Sequence, residues 1–207
     1  MEAFHSLGEH NEIDDVFVEI EAAIPLAVKL QREHGDTTGA LNALRDIVNR
    51  AIGTYTAPQS RASFSRARVI ELAFDKGRLV YQRANRPAQA VASGIVSYFM
   101  AAKRMSAAAD QSAGEAAEKR SPRYQKEFFV EPEEAEREAA MWDADAKEWL
   151  AKSFAAITDV AILAEATRLL KKMKLDVALA GNILAAVSQP PNNPWEMFNA
   201  VMAAFNH

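Results

Sequence analysis

Residues 67–83 read ARVIELAFDKGRLVYQR, and the conformation of this stretch decides whether the chain is entirely helical. Asp-Lys-Gly at 75–77 has the composition of a turn with glycine in the left-handed position, and β-branched and aromatic residues flank it. In a hairpin, Phe74 would share one face with its alternate neighbours and pair with Leu79 and Tyr81. A continuous helix is the alternative, at a cost of about 1 kcal/mol for a mid-helix glycine relative to alanine. We favour the hairpin.

Outside this stretch, the sequence is typical of a helical protein. Alanine, the residue with the highest helix propensity, occurs 41 times in 207 residues, and glycine only 8 times. Apolar residues also recur at helical spacing, as in Val91, Ile95 and Phe99 after Pro87, which suits a first helical turn. The predicted fold class is therefore mainly α, a helical bundle with one small β-hairpin around residues 67–83.

The stretch 106–123 contains small and polar residues but no large apolar side chain. We predict a linker or a solvated helix extension over residues 106–124, because such a stretch offers little to a core. The chain would then contain an N-terminal, mainly helical unit at 1–105, which includes the hairpin, and a C-terminal helical bundle at 125–207. A chain of this length suits one or two domains.

The composition also indicates a cellular compartment. The absence of cysteine excludes a disulfide framework, a thiolate zinc site and a thiol nucleophile, and it suits a reducing compartment. The N-terminus is acidic and lacks the features of a secretory signal. The most apolar stretch, 91–102, is far shorter than the ~20 residues that span a bilayer. We predict a cytoplasmic protein without a membrane segment.

The sequence contains no motif of the common enzyme classes. A Walker A loop, GxGxxG, GxSxG and HExxH are all missing, and the one ExxH pair, Glu2 and His5, lacks the second copy that a di-iron bundle needs. The carboxylate clusters at 14–21 and 131–138 fall mostly opposite apolar stripes, which is typical of water-facing helix surfaces. We predict a non-enzymatic protein with no metal and no other cofactor.

Charge is distributed unevenly along the chain. Residues 1–50 carry 4 basic and 10 acidic groups, residues 51–104 carry 9 and 2, and residues 125–150 carry 3 and 9. The middle of the chain therefore has a net charge of +7, and each flank has a net charge of −6.

The basic middle segment predicts contact with nucleic acid. Arginine outnumbers lysine seven to two there, and Phe64, Phe74 and Tyr81 lie between the cations. Arginine forks grip phosphate while aromatic rings stack on unpaired bases, so this composition favours DNA or RNA and a helical subunit of a larger assembly. The predicted nucleic-acid contacts are Arg61, Arg66, Arg68, Lys76, Arg78, Arg83 and Arg86.

The alternative is that the basic segment meets an acidic surface of the same chain or of a partner. The protein would then be a pure protein–protein interaction module, such as an adaptor, immunity or regulatory protein. Asn193 and Pro194 mark the start of a final amphipathic helix, which either packs on the C-terminal bundle or docks on a partner. We expect protein partners or self-association through helical faces. The predicted partner-docking residues are Trp195, Phe198, Met202 and Phe205.

Overall fold

The computed structural model describes residues 3–54, 61–157, 159–188 and 193–206, with side chains for all of these except 3–14, 61, 156–157 and 159–160. All regular secondary structure within these ranges is helical, so the prediction of a mainly α fold is confirmed. In chain order the helices are α1 (Ala3–His34), α2 (Thr37–Gly53), α3 (Arg61–Arg83), α4 (Pro87–Lys119), α5 (Pro122–Phe128), α6 (Pro132–Ile157), α7 (Asp159–Lys172), α8 (Leu179–Ala186) and α9 (Pro194–Ala204). None of the helices in the described ranges combines the length and apolar character needed to cross a bilayer.

The predicted β-hairpin at 67–83 is wrong, because this stretch lies within α3. Gly77 occupies the middle of the helix and faces Ser93 of α4. A Cβ atom at Gly77 would lie 3.1 Å from the Ser93 Oγ, and that hydroxyl donates to the carbonyl oxygen of Phe74 at 2.6 Å. The glycine therefore allows α3 and α4 to pack closely, and it does not form a turn.

Helix α4 is the central helix of the fold, since α3, α6, α7 and α9 all pack on it. Gly94 marks the tightest of these contacts. A Cβ atom there would lie 2.7 Å from Cδ1 of Leu169 in α7 and 3.0 Å from Cδ of Arg78 in α3. Three helices meet at a position that has room only for a residue without a side chain.

The first two helices form a layer against α3. Buried apolar residues at helical spacing, including Phe17, Ile20 and Ile24, attach α1 to the core. Helix α1 runs parallel to α3, because Glu21 pairs with Arg68 while, further along both helices, the Gln31 Nε2 donates to the carbonyl oxygen of Val80 at 3.0 Å. This arrangement leaves a groove between two parallel helices.

The C-terminal half of α4 and helix α6 form an antiparallel pair. Near one end, the Ser153 hydroxyl donates to the carbonyl oxygen of Ala102 at 3.1 Å; near the other, Arg120 binds Glu136 at 2.8 Å. Small side chains between the helices allow their axes to approach closely. The buried small residues are Ala102, Ala108, Ala109, Ser112 and Ala116 of α4 and Ala135, Ala139 and Ser153 of α6.

The segment 106–124, predicted as a linker or solvated extension, begins inside this helix pair. Residues 106–119 continue α4 without interruption, and their alanine face is buried under α6. A core forms there without large apolar side chains, because both helices present small residues to each other. The division of the chain into units at 1–105 and 125–207 stays a prediction.

Ion pairs at the end of the α4–α6 pair where α5 connects the two helices make its stability depend on pH. Arg120 binds Glu136 and Asp143, each at 2.8 Å, and its hydrogen bonds hold the pKa of both carboxyls below the ordinary values. A carboxylate whose pKa is lowered by folding stabilises the folded state above its unfolded pKa, about 4, and this contribution is lost as the pH falls through the folded pKa.

We therefore expect the thermal unfolding midpoint to fall as the pH drops below about 4, and we expect Arg120→Gln to weaken this dependence. Circular dichroism melts at a series of pH values measure the effect. Arg123→Gln is the control, because Arg123 pairs with Glu127 within the short helix α5, at 3.6 Å, and does not connect α4 to α6. Equal acid sensitivity of the wild type and Arg120→Gln would contradict the assignment.

Candidate functional site

The predicted nucleic-acid residues of α3 do not form one surface. Arg66 reaches α2, Arg68 reaches Glu21 of α1, and Arg78 lies against α4 beside Gly94. These three arginines therefore point toward three different neighbouring helices. The side chain of Arg61 lies outside the described residues.

Arg66 binds the C-terminal end of α2. Its Nε donates to the carbonyl oxygen of Ala51 at 3.1 Å, and its Nη2 donates to the carbonyl oxygen of Thr54. Burial lowers the pKa of its guanidinium group. A cation at this position satisfies the last carbonyls of the helix and interacts favourably with the helix dipole. The structure thus gives Arg66 a role in holding α2 against α3.

We expect Arg66→Met to lower the free energy of unfolding by about 2 kcal/mol, since hydrogen bonds to a charged group contribute roughly that amount. Arg83→Met is the matched control, because Arg83 is exposed in the last turn of the same helix, and a change near zero is expected. Urea unfolding curves with equal slopes give the difference directly. An equal loss in both variants would show that Arg66 has no special structural role.

Most other cations of the basic segment pair with carboxylates. Burial alone would raise the pKa of Asp75, but the hydrogen bond and charge of Arg78 hold it below its ordinary value. Glu21 connects the acidic N-terminal block to the basic segment, whereas the acidic block at 125–150 pairs with Lys119 and Arg120 just outside that segment. The pairs are Arg68–Glu21 at 3.1 Å, Lys76–Asp75 at 3.4 Å, Arg78–Asp75 at 2.6 Å and Arg104–Glu71 at 2.7 Å.

Arg83 and Arg86 are exposed at the turn between α3 and α4, and among the described residues neither forms an ion pair, unlike Arg68, which is also exposed. Both lie close in sequence to Tyr81. Burial raises the pKa of the Tyr81 phenol, and the positive charges of Arg86 and Arg45 partly oppose this shift. Among the predicted nucleic-acid contacts whose side chains are described, these two arginines are exposed and could bind a phosphate without breaking an ion pair.

Intramolecular packing holds the predicted docking residues of α9. The Trp195 ring lies 4.9 Å from the ring of Phe74, and its Nε1 donates to Oδ1 of Asn49 at 2.9 Å. The Phe198 ring stacks on Tyr81 at 6.2 Å. Helix α9 therefore packs on α4 and α8, and its aromatic side chains also reach α2 and α3. Partner docking through it stays a prediction. All four predicted docking residues are half-buried against the core: Trp195, Phe198, Met202 and Phe205.

The groove between α1 and α3, here called the α1–α3 groove, was not predicted from the sequence. It has a volume of about 530 Å³. Val18 lines it and is 66% exposed, although it is an apolar residue. One feature of the sequence could have indicated it: Val18 is apolar, yet it lies one residue outside the apolar stripe by which α1 packs on the core. The apolar lining includes Phe17, Val18, Pro25, Phe64 and Leu72, and the charged lining is Glu21, Arg68 and Lys76.

A second exposed apolar surface lies at the end of the α4–α6 pair, in residues 122–134, here called the hairpin tip. Phe128 is exposed, and Phe129 is 93% exposed. Phe129 follows α5 with φ 55° and ψ 37°, the left-handed conformation that usually takes glycine or asparagine at a helix end. The sequence could have indicated this surface, because Phe128 and Phe129 stand at the end of α5, where a glycine commonly ends a helix.

The two surfaces differ in charge. The α1–α3 groove has two basic side chains and one acidic one, a net charge of +1. The hairpin tip has two basic and four acidic residues, a net charge of −2. The acidic residues of the tip are Glu127, Glu131, Glu133 and Glu134.

Among the side chains that the structure describes, no cluster of three or more His, Asp and Glu groups could hold a metal ion. No protein-family model, curated protein or solved structure matches the chain.

Proposed function

We propose that this protein is a non-enzymatic helical module that binds other protein surfaces through exposed apolar side chains. The α1–α3 groove is the observation that carries the proposal. Clustered apolar side chains at a surface mark interaction sites more often than isolated ones, and a groove between two helices suits the apolar face of a partner segment. Phe17 and Ile24 behind the groove are buried, so the surface rests on a packed core.

The pairing of the cations supports a protein partner over nucleic acid. Phosphate binding by Arg66 or Arg78 would break contacts that hold α3 to α2 or that satisfy Asp75. Removing one member of such a partly buried pair leaves a charged group without its partner, which is costly. Nucleic-acid contact is therefore our second candidate function, and the exposure of Arg83 and Arg86 favours it.

Affinity capture of the full chain, scored for both protein and nucleic acid, tests the first candidate. We expect stoichiometric protein partners that survive nuclease treatment and high salt. Val18→Asp should abolish capture, because it places a charge in the groove. Leu26→Asp should not, because Leu26 is equally exposed on α1, at 65%, but does not line the groove. Equal capture by Val18→Asp and the wild type would overturn the proposal.

Electrophoretic mobility shifts with single- and double-stranded DNA and RNA at low salt test the second candidate. Binding should then weaken as salt rises, because phosphate contacts release counterions. The double change Arg83→Glu and Arg86→Glu should abolish the shift. The absence of any shift at micromolar wild-type protein would remove nucleic acid from consideration.

A further inference from the structure

We infer that the partner of the α1–α3 groove is the hairpin tip of a second copy of this chain, so that copies join head to tail. This inference rests on the proposed function and names the partner. It combines two surfaces of the same molecule that packing among the described residues leaves exposed.

The hairpin tip presents an aromatic side chain at a conformational cost. A bulky residue with positive φ is uncommon, and surrounding contacts usually compensate for the strain. The Phe129 ring is 93% exposed, so the described residues do not compensate for this strain by burying it. Burial in an apolar site on another molecule would supply it.

The α1–α3 groove matches this tip in size and in polarity. Its volume of about 530 Å³ lies in the range of cavities that enclose ligands larger than one aromatic ring, roughly 300–1,000 Å³. Apolar side chains form most of its lining. A buried phenylalanine would add a large apolar contact there.

Charge favours the same pairing. The groove has one excess positive charge, because Glu21 balances Arg68 and Lys76 adds a second cation, and the tip is net acidic. Glu127 precedes Phe128 directly in the chain, and Glu133 and Glu134 in the first turn of α6 are exposed a few residues after Phe129. Opposite charges around an apolar contact steer two surfaces together and disfavour the pairing of two tips or two grooves.

The tip cannot reach the groove of its own chain. Arg104 of α4 pairs with Glu71 of α3, one residue from the groove residue Leu72. From Arg104, α4 continues to Lys119, a rise of roughly 22 Å at 1.5 Å per residue, before the tip begins. Because the two surfaces differ, a joined pair keeps one free tip on one copy and one free groove on the other, so the contact produces open chains or a closed ring.

Light scattering coupled to size-exclusion chromatography tests this inference on the full chain. The wild type should show a mass that rises with concentration above the 22.8 kDa of one chain or settles at a fixed multiple of it. Phe129→Asn should give a single-chain mass with an unchanged or higher melting temperature, because asparagine accepts the left-handed conformation. Val18→Asp should also give a single-chain mass.

Two matched changes at exposed apolar residues outside both surfaces should leave the assembly intact. They are Phe154→Asn on α6 and Leu26→Asp on α1.

Mixing the two single-chain variants gives the sharpest test. Val18→Asp retains an intact tip and Phe129→Asn retains an intact groove, so the mixture should form a one-to-one pair and grow no further. A monomeric wild type at all concentrations, or a mixture that stays monomeric, would overturn the inference. If Val18→Asp also abolishes capture of a different protein while the wild type stays monomeric, the proposed function stands and only the self-pairing is wrong.

Discussion

Replacement of Gly94 by leucine is expected to lower the free energy of unfolding by about 3 kcal/mol, at the upper end of the usual cost of overpacking a core. A single Cβ atom there would already lie 2.7 Å from Cδ1 of Leu169, and leucine adds three more carbons. Leu169 is fully buried, and closely packed interiors have few voids into which a side chain can move. Helices α3, α4 and α7 would have to separate.

Gly114→Leu is the matched control, because Gly114 lies in the same helix and a Cβ atom there would meet no neighbouring atom within 4 Å. Leucine is a better helix former than glycine, so this change should raise the free energy of unfolding by about 0.8 kcal/mol. Denaturant unfolding of both variants measures the two effects. A similar result at both positions would contradict the close packing around Gly94.

Phe74→Ala is expected to lower the free energy of unfolding by about 4 kcal/mol, as is usual for a buried phenylalanine. Phe74 is buried in α3, and its ring lies 4.9 Å from that of Trp195 and 6.2 Å from that of Phe198. Its removal leaves a cavity under α9. Amide hydrogen exchange should therefore show α9 losing protection before the other helices do.

The control for this change is Phe154→Ala on α6. Phe154 is 64% exposed, so the same truncation should alter the free energy of unfolding by less than about 0.5 kcal/mol. An equally small change in the free energy of unfolding for Phe74→Ala, or unchanged exchange protection of α9, would contradict a stabilising role for the contacts between α9 and α3.

Features that depend on local sequence were predictable. Alanine content and helical spacing correctly predicted a mainly α fold. The start of α9 is also as expected, since the Asn193 Oδ1 accepts from the backbone N–H of Trp195 at 2.9 Å and Pro194 takes the first position. Such caps involve residues only a few positions apart, so the sequence contains all the information they need.

Features that depend on a distant helix were not predictable. Gly77 resembles a turn residue until Ser93 of α4 is placed against it. The alanines at 106–119 resemble a solvated surface until α6 covers them. The pairing of Arg68 with Glu21 and the groove beside it both require that α1 run parallel to α3. In each case, the residue's role is set by tertiary contacts that single-sequence patterns do not contain.

The hydrogen bond between Trp195 and Asn49 also has a consequence for biosynthesis. It joins residues 146 positions apart in the chain. A ribosome adding 5–20 residues per second needs roughly 7–30 s to make that stretch. For most of this interval, once residues 61–83 have been made, the aromatic face of α3 exists but its cover, α9, does not. The nascent chain therefore exposes the aromatic face of α3 for seconds. Chaperones that recognise aromatic side chains should bind this face while translation continues.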